Sequence, residues 1–186
     1  LSHLGGIFRR DLESFQSQPR ETIKVIRSNS FPRLPQTKRF GISWRSIGAA
    51  YSKLKSVDLT DFRALCLYPK SEVFSLQYGE VSEEIDAFNE IFESPALQVP
   101  NFDITNDLWE LSQLLLSCDL VVTASNSTAH LAGGLGVASI VICPEGGGRH
   151  WYWDHQINNQ SLWYPSVKIL TIQEFLQAPS KWLDTH

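Results

Sequence analysis

The sequence contains no methionine, not even at its start, and it opens on Leu1. Because a natural chain begins with an initiator methionine, we expect these 186 residues to be a segment of a longer protein. No apolar run approaches the ~20 residues that span a bilayer, and no charged stretch followed by an apolar one marks a secretory signal. We therefore expect a cytoplasmic protein without a transmembrane segment.

Cysteine and metal-ligand motifs are also scarce. The three cysteines, Cys66, Cys118 and Cys143, lie far apart in apolar surroundings, and no CxxC pair occurs. This pattern is typical of buried thiols in a reducing compartment. The five histidines are scattered and lack the spacing of a metal site. The sequence therefore predicts neither a disulfide framework nor a bound metal.

Missing motifs exclude further classes of function. The formal net charge of −4 lacks the excess of Lys and Arg on which sequence-independent nucleic-acid binding depends. The glycines of Gly133-Gly134-Leu135-Gly136 close a helical segment and do not fit GxGxxG, which argues against an NAD-dependent oxidoreductase. Ser127 has no GxSxG context, so Ser127 and His130 are not a hydrolase pair.

The most informative stretch is a β-loop-α-β unit between Asp119 and Pro144. Two apolar, β-branched runs flank a helical segment, a pattern typical of parallel strands that are buried on both faces. The polar cluster Ser125-Asn126-Ser127-Thr128 falls at the carboxyl end of the first strand, where open α/β sheets bind ligands. The helix that begins there offers unpaired N–H groups and a dipole that favour an anion.

The cluster also has a plainer interpretation as a helix N-cap, and on its own it supports no more than that. A second polar loop, Ser43-Trp44-Arg45-Ser46, follows another strand and reaches the same edge of the sheet. With Lys55 nearby, the two loops make a diphosphate site plausible. Two alternatives stay open: Lys55 as a solvated surface lysine, and His130 as a histidine packed beneath the strand ends.

A glycine-rich loop with aromatic residues follows the strand that ends near Cys143. Gly147 and Gly148 permit close approach of a ligand, and Arg149 with its aromatic neighbours is suited to a phosphate or a ring. The alternative is a flexible turn beside an aromatic core cluster with Trp163 and Tyr164.

Strands alternate with helices along the chain, which predicts an α/β fold with a doubly wound, mostly parallel sheet of about five or six strands and helices on both faces. Residues 1–37 are expected to be an N-terminal helical extension or an interdomain connector, with a helix ending near Arg20, and residues 38–186 the Rossmann-like domain. Helices are predicted over Leu59 to Leu67, capped by Asp58 or Thr60, and over Leu108 to Ser117. For the second of these the predicted caps are Thr105 or Asn106, and the predicted buried residues are Leu108, Trp109, Leu111, Leu114 and Leu115.

Six short stretches occur in an order that resembles a known family: GISWRS from Gly41, FSLQYG from Phe74, NDL from Asn106, CDLVV from Cys118, SNSTAHLAGGLG from Ser125 and WYPS from Trp163. The series looks like the C-terminal half of the GT-B glycosyltransferases, and is most similar to the heptosyltransferase-like enzymes often found behind tetratricopeptide repeats. The resemblance covers roughly residues 40–182, and its most specific part is the NSTAHLAG stretch.

In that family two Rossmann-like domains face each other across a cleft. The C-terminal domain holds the nucleotide-sugar donor, and the N-terminal domain holds the acceptor and usually the catalytic base. The resemblance implies that the donor diphosphate lies among these residues: Arg45, Ser46, Lys55, Ser125, Asn126, Ser127, Thr128 and His130. Weaker donor candidates are Ser43, Trp44, Gln77, Asp103, Gly147, Gly148 and Arg149, with Gln77 and Asp103 on the base and ribose side.

The sequence departs from the family at one point, because Ser125-Asn126 stands where many heptosyltransferase relatives carry Asp-Thr. We expect the donor-binding domain of a glycosyltransferase that is inactive alone, has its catalytic base outside this chain, and requires neither a cofactor nor a metal. The expected partners are a nucleotide-sugar and an N-terminal acceptor-binding domain. The alternative is a non-catalytic Rossmann-like module used for binding or assembly.

Overall fold

The computed structural model describes residues 9–47, 52–92 and 96–177. Within these ranges the strands are β1 Lys38–Ser43, β2 Ser71–Ser75, β3 Leu97–Gln98, β4 Leu120–Ala124, β5 Ser139–Cys143, β6 Gln156–Ile157, β7 Gln160–Ser161 and β8 Val167–Thr171. The α-helices are α1 Ser52–Lys55, α2 Arg63–Cys66, α3 Ser82–Asn89, α4 Leu108–Ser117, α5 Ser127–Gly134 and α6 Ile172–Gln177. Short 3₁₀ helices cover Glu13–Phe15, Leu59–Phe62 and Trp151–Trp153.

All the strands belong to one sheet in the order β3-β2-β1-β4-β5-β8-β7-β6. The pairs from β3 through β8 are parallel, and the pairs that β7 makes with β8 and β6 are antiparallel. The strand order reverses at β1, which has β2 on one side and β4 on the other. Open α/β sheets bind ligands at such a switch point, beyond the carboxyl ends of the strands. The predicted α/β fold with a mostly parallel sheet is confirmed.

The predicted strand number of five or six is wrong, because the described sheet has eight strands. The addition is the hairpin β6–β7, whose strands have two residues each. Asn158 and Asn159 connect them with φ angles of 51° and 65°. Positive φ at both positions is the requirement of a type I′ turn, which asparagine tolerates. Strands this short contain no alternation of apolar and polar residues, so only the Asn-Asn pair marks the hairpin.

Both faces of the parallel sheet are covered, as a doubly wound sheet requires. Along β4, Leu120 and Val122 pack in one core cluster, whereas Val121 between them packs in another. In β5, Ile140 and Val141 are likewise divided between opposite clusters. The helices contribute to the clusters on both faces: Leu65, Ile85 and Phe175 on one, and Leu111, Leu114 and Ala132 on the other.

The N-terminal segment is not the helix that its apolar spacing predicts. Of the predicted span, positions 1–8 lie outside the described residues, and in residues 9–20 the 3₁₀ helix Glu13–Phe15 is the one helical element. Phe15 packs edge-on against Trp163, with 5.0 Å between the ring centroids, and the N–H groups of Thr22 and Ile23 donate to the Gly134 carbonyl. The N-terminal segment is therefore held by contacts with residues far along the sequence, near Gly134 and Trp163.

Two predicted helices differ in detail. The stretch from Leu59 is a 3₁₀ helix followed by α2, and Asp58 caps it, as one of the two predicted alternatives. Helix α4 spans the predicted residues, but Asp107 caps it through the N–H of Glu110. At its start Leu108 and Trp109 are half exposed, although both were predicted to be buried.

Candidate functional site

Three loops meet beyond the carboxyl ends of β1, β4 and β5. Side-chain contacts join the β1 loop to the start of α5, the α1 segment to the loop after β5, and that loop to the end of β4. They are Asn126 Nδ2 to Ser43 Oγ at 2.7 Å, Lys55 Nζ to His150 Nε2 at 2.7 Å, and Trp153 Nε1 to Ser125 Oγ at 2.9 Å. The structure thus brings together the loops that carry the predicted site residues.

The polar cluster after β4 starts helix α5. Asn126 is the N-cap, and its Oδ1 accepts the N–H of Thr128 at 3.0 Å. Ser127 begins the helix as an exposed residue, whereas Ser125 and Thr128 are buried. The remaining N–H groups of a first helical turn have no intrahelical partner, and the helix dipole adds partial positive charge. This helix start is therefore suited to an anion.

The β1 loop is ordered by Gln77, which follows β2 and is 1% exposed. Its Oε1 accepts from the hydroxyl of Ser43 at 3.1 Å and from the N–H groups of Trp44 at 3.0 Å and Arg45 at 2.8 Å. Gln77, Ser43 and Trp44 are thus buried in contact with one another. These three residues are weaker donor candidates, and in the structure they fix the conformation of the β1 loop.

The Arg45 guanidinium already has protein partners. It forms an ion pair with Glu84 of α3 at 3.0 Å and donates to the carbonyl of Glu80 at 3.1 Å. The Arg45 carbonyl accepts from Asn126 Nδ2 at 3.2 Å, so it is the backbone of Arg45 that contacts the start of α5. Ser46 follows it and is half-buried.

Lys55 is not a solvated surface lysine, since it is 7% exposed. Its ammonium contacts His150 Nε2, which acts as the acceptor when the imidazole is neutral. Burial raises the pKa of the Cys143 thiol at the end of β5 to about 12, and the Lys55 charge and the Ser125 hydroxyl both act in the opposite direction.

In the described part of the chain, no carboxylate lies within 4.0 Å of the Lys55 ammonium, although Arg33, Arg39, Arg45 and Arg149 all have one. A buried cation is costly unless an anion compensates it. The position of Lys55 therefore favours an external anion.

His130 packs in an aromatic cluster, as one of its two interpretations predicts. The imidazole stacks on Trp153 with ring centroids 5.1 Å apart, and its nitrogens contact the hydroxyl groups of Tyr164 at 3.1 Å and Tyr152 at 3.3 Å. Burial lowers the pKa of His130, and the charge of His150 lowers it further to a smaller extent. The ring is therefore held neutral.

The glycine-rich loop likewise joins the aromatic cluster. Gly146 and Gly148 have φ angles of 76° and 90°, which favour glycine, and a Cβ at Gly147 would meet no atom within 4 Å. Arg149 pairs with Asp154 at 2.6 Å and donates to the Trp153 carbonyl at 3.0 Å. The open surface is therefore at Gly147, while the guanidinium stabilises its own loop.

Two cavities adjoin the site. One of about 420 Å³ lies between the loops after β2 and β3 and includes Gln77 and Asp103. Hydrogen bonds from the side chain of Asn106 and from backbone N–H groups lower the pKa of the exposed Asp103 carboxyl. The other cavity, of about 560 Å³, is mostly apolar and includes Ser127, Thr128 and His130.

Sequence reasoning missed His150, Trp153 and Glu84 as site residues. Their contacts with Lys55, Ser125 and Arg45 span 95, 28 and 39 residues, respectively. His150 had one usable signal, because it lies in the loop that follows β5, at the same edge as the other loops.

We expect the free energy of unfolding to fall as the pH drops below about 6.5. Burial lowers the pKa of His130. The pKa of His150 is lowered mainly by burial and to a smaller extent by the Lys55 charge. In the unfolded chain the two histidines therefore bind protons near the ordinary histidine pKa, whereas in the folded chain their imidazoles stay neutral to lower pH. The stability is fully present above that value and is lost as the pH falls toward the lowered pKa.

Urea unfolding at pH 8, 7, 6 and 5 measures this dependence, and His130→Gln should make it shallower. The lowered pKa values of Asp58, Asp103 and Glu174 act in a more acidic window. A profile that is flat from pH 8 to 5 would contradict the neutral buried state of the two imidazoles.

Among the described residues no group of His, Cys, Asp or Glu has an arrangement that could hold a metal ion. None of the described helices combines the length and the apolar character needed to cross a membrane.

No family model matches the sequence. Protein FlbA of Caulobacter vibrioides (strain ATCC 19089 / CIP 103742 / CB 15) is 25% identical over 138 residues, which are 74% of this chain and 22% of FlbA. The structure of E. coli ADP-heptose LPS heptosyltransferase II aligns with a TM-score of 0.59 at 11% identity, over 84% of this chain and 48% of that one. The chain thus spans about a fifth of FlbA and half of the heptosyltransferase.

At 11% identity the second likeness shows the fold alone. The resemblance found in the sequence motifs is confirmed at this level: the chain has a heptosyltransferase-like, Rossmann-like fold.

Proposed function

We propose that this chain is the donor-binding domain of a glycosyltransferase that moves a sugar from a nucleoside-diphosphate sugar to an acceptor. The donor diphosphate lies between the start of α5 and Lys55. The observation that carries the proposal is the buried Lys55 ammonium, which has a neutral imidazole as its partner and no carboxylate within 4.0 Å among the described residues. A bound diphosphate supplies the missing anion.

The chemistry follows from this arrangement. Breaking the bond between the sugar and the diphosphate builds negative charge on the leaving group. Lys55, the first N–H groups of α5 and the hydroxyls of Ser127 and Thr128 stabilise that charge more as it grows, which lowers the barrier to transfer. With these groups in place the reaction requires neither a cofactor nor a divalent metal.

The nucleoside extends toward the cavity that contains Gln77 and Asp103, where the exposed Asp103 carboxylate accepts hydrogen bonds from ribose hydroxyls. The acceptor and the catalytic base belong to a second, N-terminal domain. The likeness to about half of a heptosyltransferase supports this division. The protein acts in the cytoplasm, where nucleotide-sugars are the available donors.

Isothermal titration calorimetry with ADP-, UDP- and GDP-sugars tests the proposal. We expect one of these nucleotide-sugars to bind with a Kd in about the micromolar range. The monophosphate of the same nucleoside should bind at least about tenfold more weakly, because it lacks the second phosphate. Circular dichroism on the same sample verifies that the protein is folded. A folded protein that binds none of these nucleotides would overturn the proposal.

The second candidate is a non-catalytic Rossmann-like module for binding or assembly. It is favoured by two ion pairs, Arg45 with Glu84 and Arg149 with Asp154. In both, a guanidinium near the site is already neutralised by a carboxylate of the protein. Release of sugar from the bound nucleotide-sugar distinguishes the two candidates. With the acceptor domain present, release of sugar that Lys55→Met abolishes supports an enzyme, whereas binding without release of sugar supports the module.

A further inference from the structure

Two buried amide side chains, Gln77 and Asn126, approach the β1 loop from opposite sides. Gln77 follows β2 and Asn126 follows β4, and these strands are the two neighbours of β1 in the sheet. Both side chains use donor and acceptor atoms together, and they are 1% and 7% exposed. Neither amide is therefore directed at solvent.

Asn126 satisfies both ends of its amide group. Oδ1 accepts from the N–H of Thr128 at 3.0 Å and lies 3.1 Å from the hydroxyl of Thr123. Nδ2 donates to Ser43 Oγ at 2.7 Å and to the Arg45 carbonyl at 3.2 Å. The helix cap occupies the oxygen, so the nitrogen alone makes the connection to the β1 loop. A carboxylate in this position has no hydrogen to donate.

Ser43 links the two amides, because its hydroxyl donates to Gln77 Oε1 and accepts from Asn126 Nδ2. A continuous chain of hydrogen bonds thus crosses the ends of β2, β1 and β4 and finishes at the first turn of α5. Every member is neutral. These hydrogen bonds fix the β1 loop relative to helix α5 without placing a negative charge beside the anion site.

We propose that Asn126 and Gln77 are positioning residues for the donor diphosphate: they hold the β1 loop against the first turn of α5, which forms one side of the diphosphate site. The inference rests on the proposed function. It assigns a role to two side chains whose amide oxygens and nitrogens are already hydrogen-bonded within the protein. The substrate groups concerned are the phosphates, so affinity for the diphosphate depends on both amides.

Asn126→Ser is the decisive variant. Serine caps a helix about as well as asparagine and is also neutral, but its side chain is too short to reach Ser43 Oγ and the Arg45 carbonyl. We expect the affinity for the nucleoside diphosphate that the wild type binds best to fall at least about tenfold. The backbone amides of Trp44 and Arg45 should exchange faster with solvent, although Asn126 contacts neither N–H.

A double-mutant cycle with Gln77→Met separates positioning from independent contacts. If both amides act through the same loop, the double variant loses little more affinity than the weaker-binding single variant. The matched control is Gln113→Met. Gln113 is also a buried amide, 4% exposed, and bridges two backbone groups, but it contacts Ser28 and Ile26 away from the site. It should lose comparable stability and no affinity.

The outcomes distinguish this inference from the function on which it rests. If the wild type binds no nucleoside diphosphate, the proposed function and the positioning role both fail. If the wild type binds and Asn126→Ser binds equally well with unchanged amide exchange, the positioning role alone is overturned. Should Asn126→Ser fail to fold, Ser43→Ala interrupts the same chain at its middle, and unchanged affinity in that variant overturns the inference as well.

Discussion

Replacing Lys55 with methionine is expected to weaken binding of the nucleoside diphosphate by roughly 30- to 150-fold, because it removes a charge-assisted contact worth about 2–3 kcal/mol. Methionine keeps the apolar stem of the side chain and removes the ammonium. In the absence of ligand the same change should raise the free energy of unfolding by about 1 kcal/mol, since a buried cation without a carboxylate partner disfavours the folded state. Binding and stability therefore change in opposite directions.

Calorimetry and urea unfolding measure the two effects on one sample. The matched control is Lys53→Met, since Lys53 lies in the same helix α1 and is exposed. That variant should bind like the wild type. If Lys55→Met lowered the stability and left the affinity unchanged, Lys55 would be a structural residue of the α1 segment.

Trp153→Ala has the largest expected effect on stability, a loss of about 3–5 kcal/mol in the free energy of unfolding. The Trp153 side chain is fully buried, stacks on His130 and donates to Ser125 Oγ. Its removal leaves a cavity between the β5 loop and α5 that the rigid sheet cannot fill. Because the indole supports both His130 and Ser125, diphosphate affinity should fall as well.

Trp151→Ala is the control for this prediction, because Trp151 occupies the same 3₁₀ helix and is 48% exposed. It should cost less than about 1 kcal/mol. Trp153→Phe, which keeps an aromatic ring and loses the indole N–H, should fall between the two variants. Equal losses for Trp151→Ala and Trp153→Ala would contradict the larger contribution assigned to the buried Trp153 indole.

The elements of the fold were largely predictable because they depend on local patterns. The apolar runs of β4 and β5 indicate strands that are buried on both faces, and the polar cluster at Ser125 to Thr128 marks the start of α5. Period and capping are properties of neighbouring residues, so a sequence alone displays them. The hairpin β6–β7 was not predicted, because strands of two residues are too short to show an alternation of apolar and polar residues.

The side-chain partners of the site were less predictable, since they come from distant parts of the chain. The sequence singles out Arg45 and Lys55 as cations for phosphate, yet Arg45 pairs with Glu84 whereas Lys55 meets a neutral imidazole. Nothing local to either residue distinguishes these surroundings. The weaker candidate Gln77 proves to organise the β1 loop, because burial of its amide requires internal partners.

The two ends of the sheet bear on how the molecule behaves at high concentration. In the described part of the chain the outermost strands are β3 and β6, each two residues long, although the central parallel strands have five or six. A long edge strand presents a row of unpaired N–H and C=O groups on which another polypeptide can add as a new strand. The tight Asn158–Asn159 turn folds the chain back after the two residues of β6, so the sheet offers only a short row of such groups at this end.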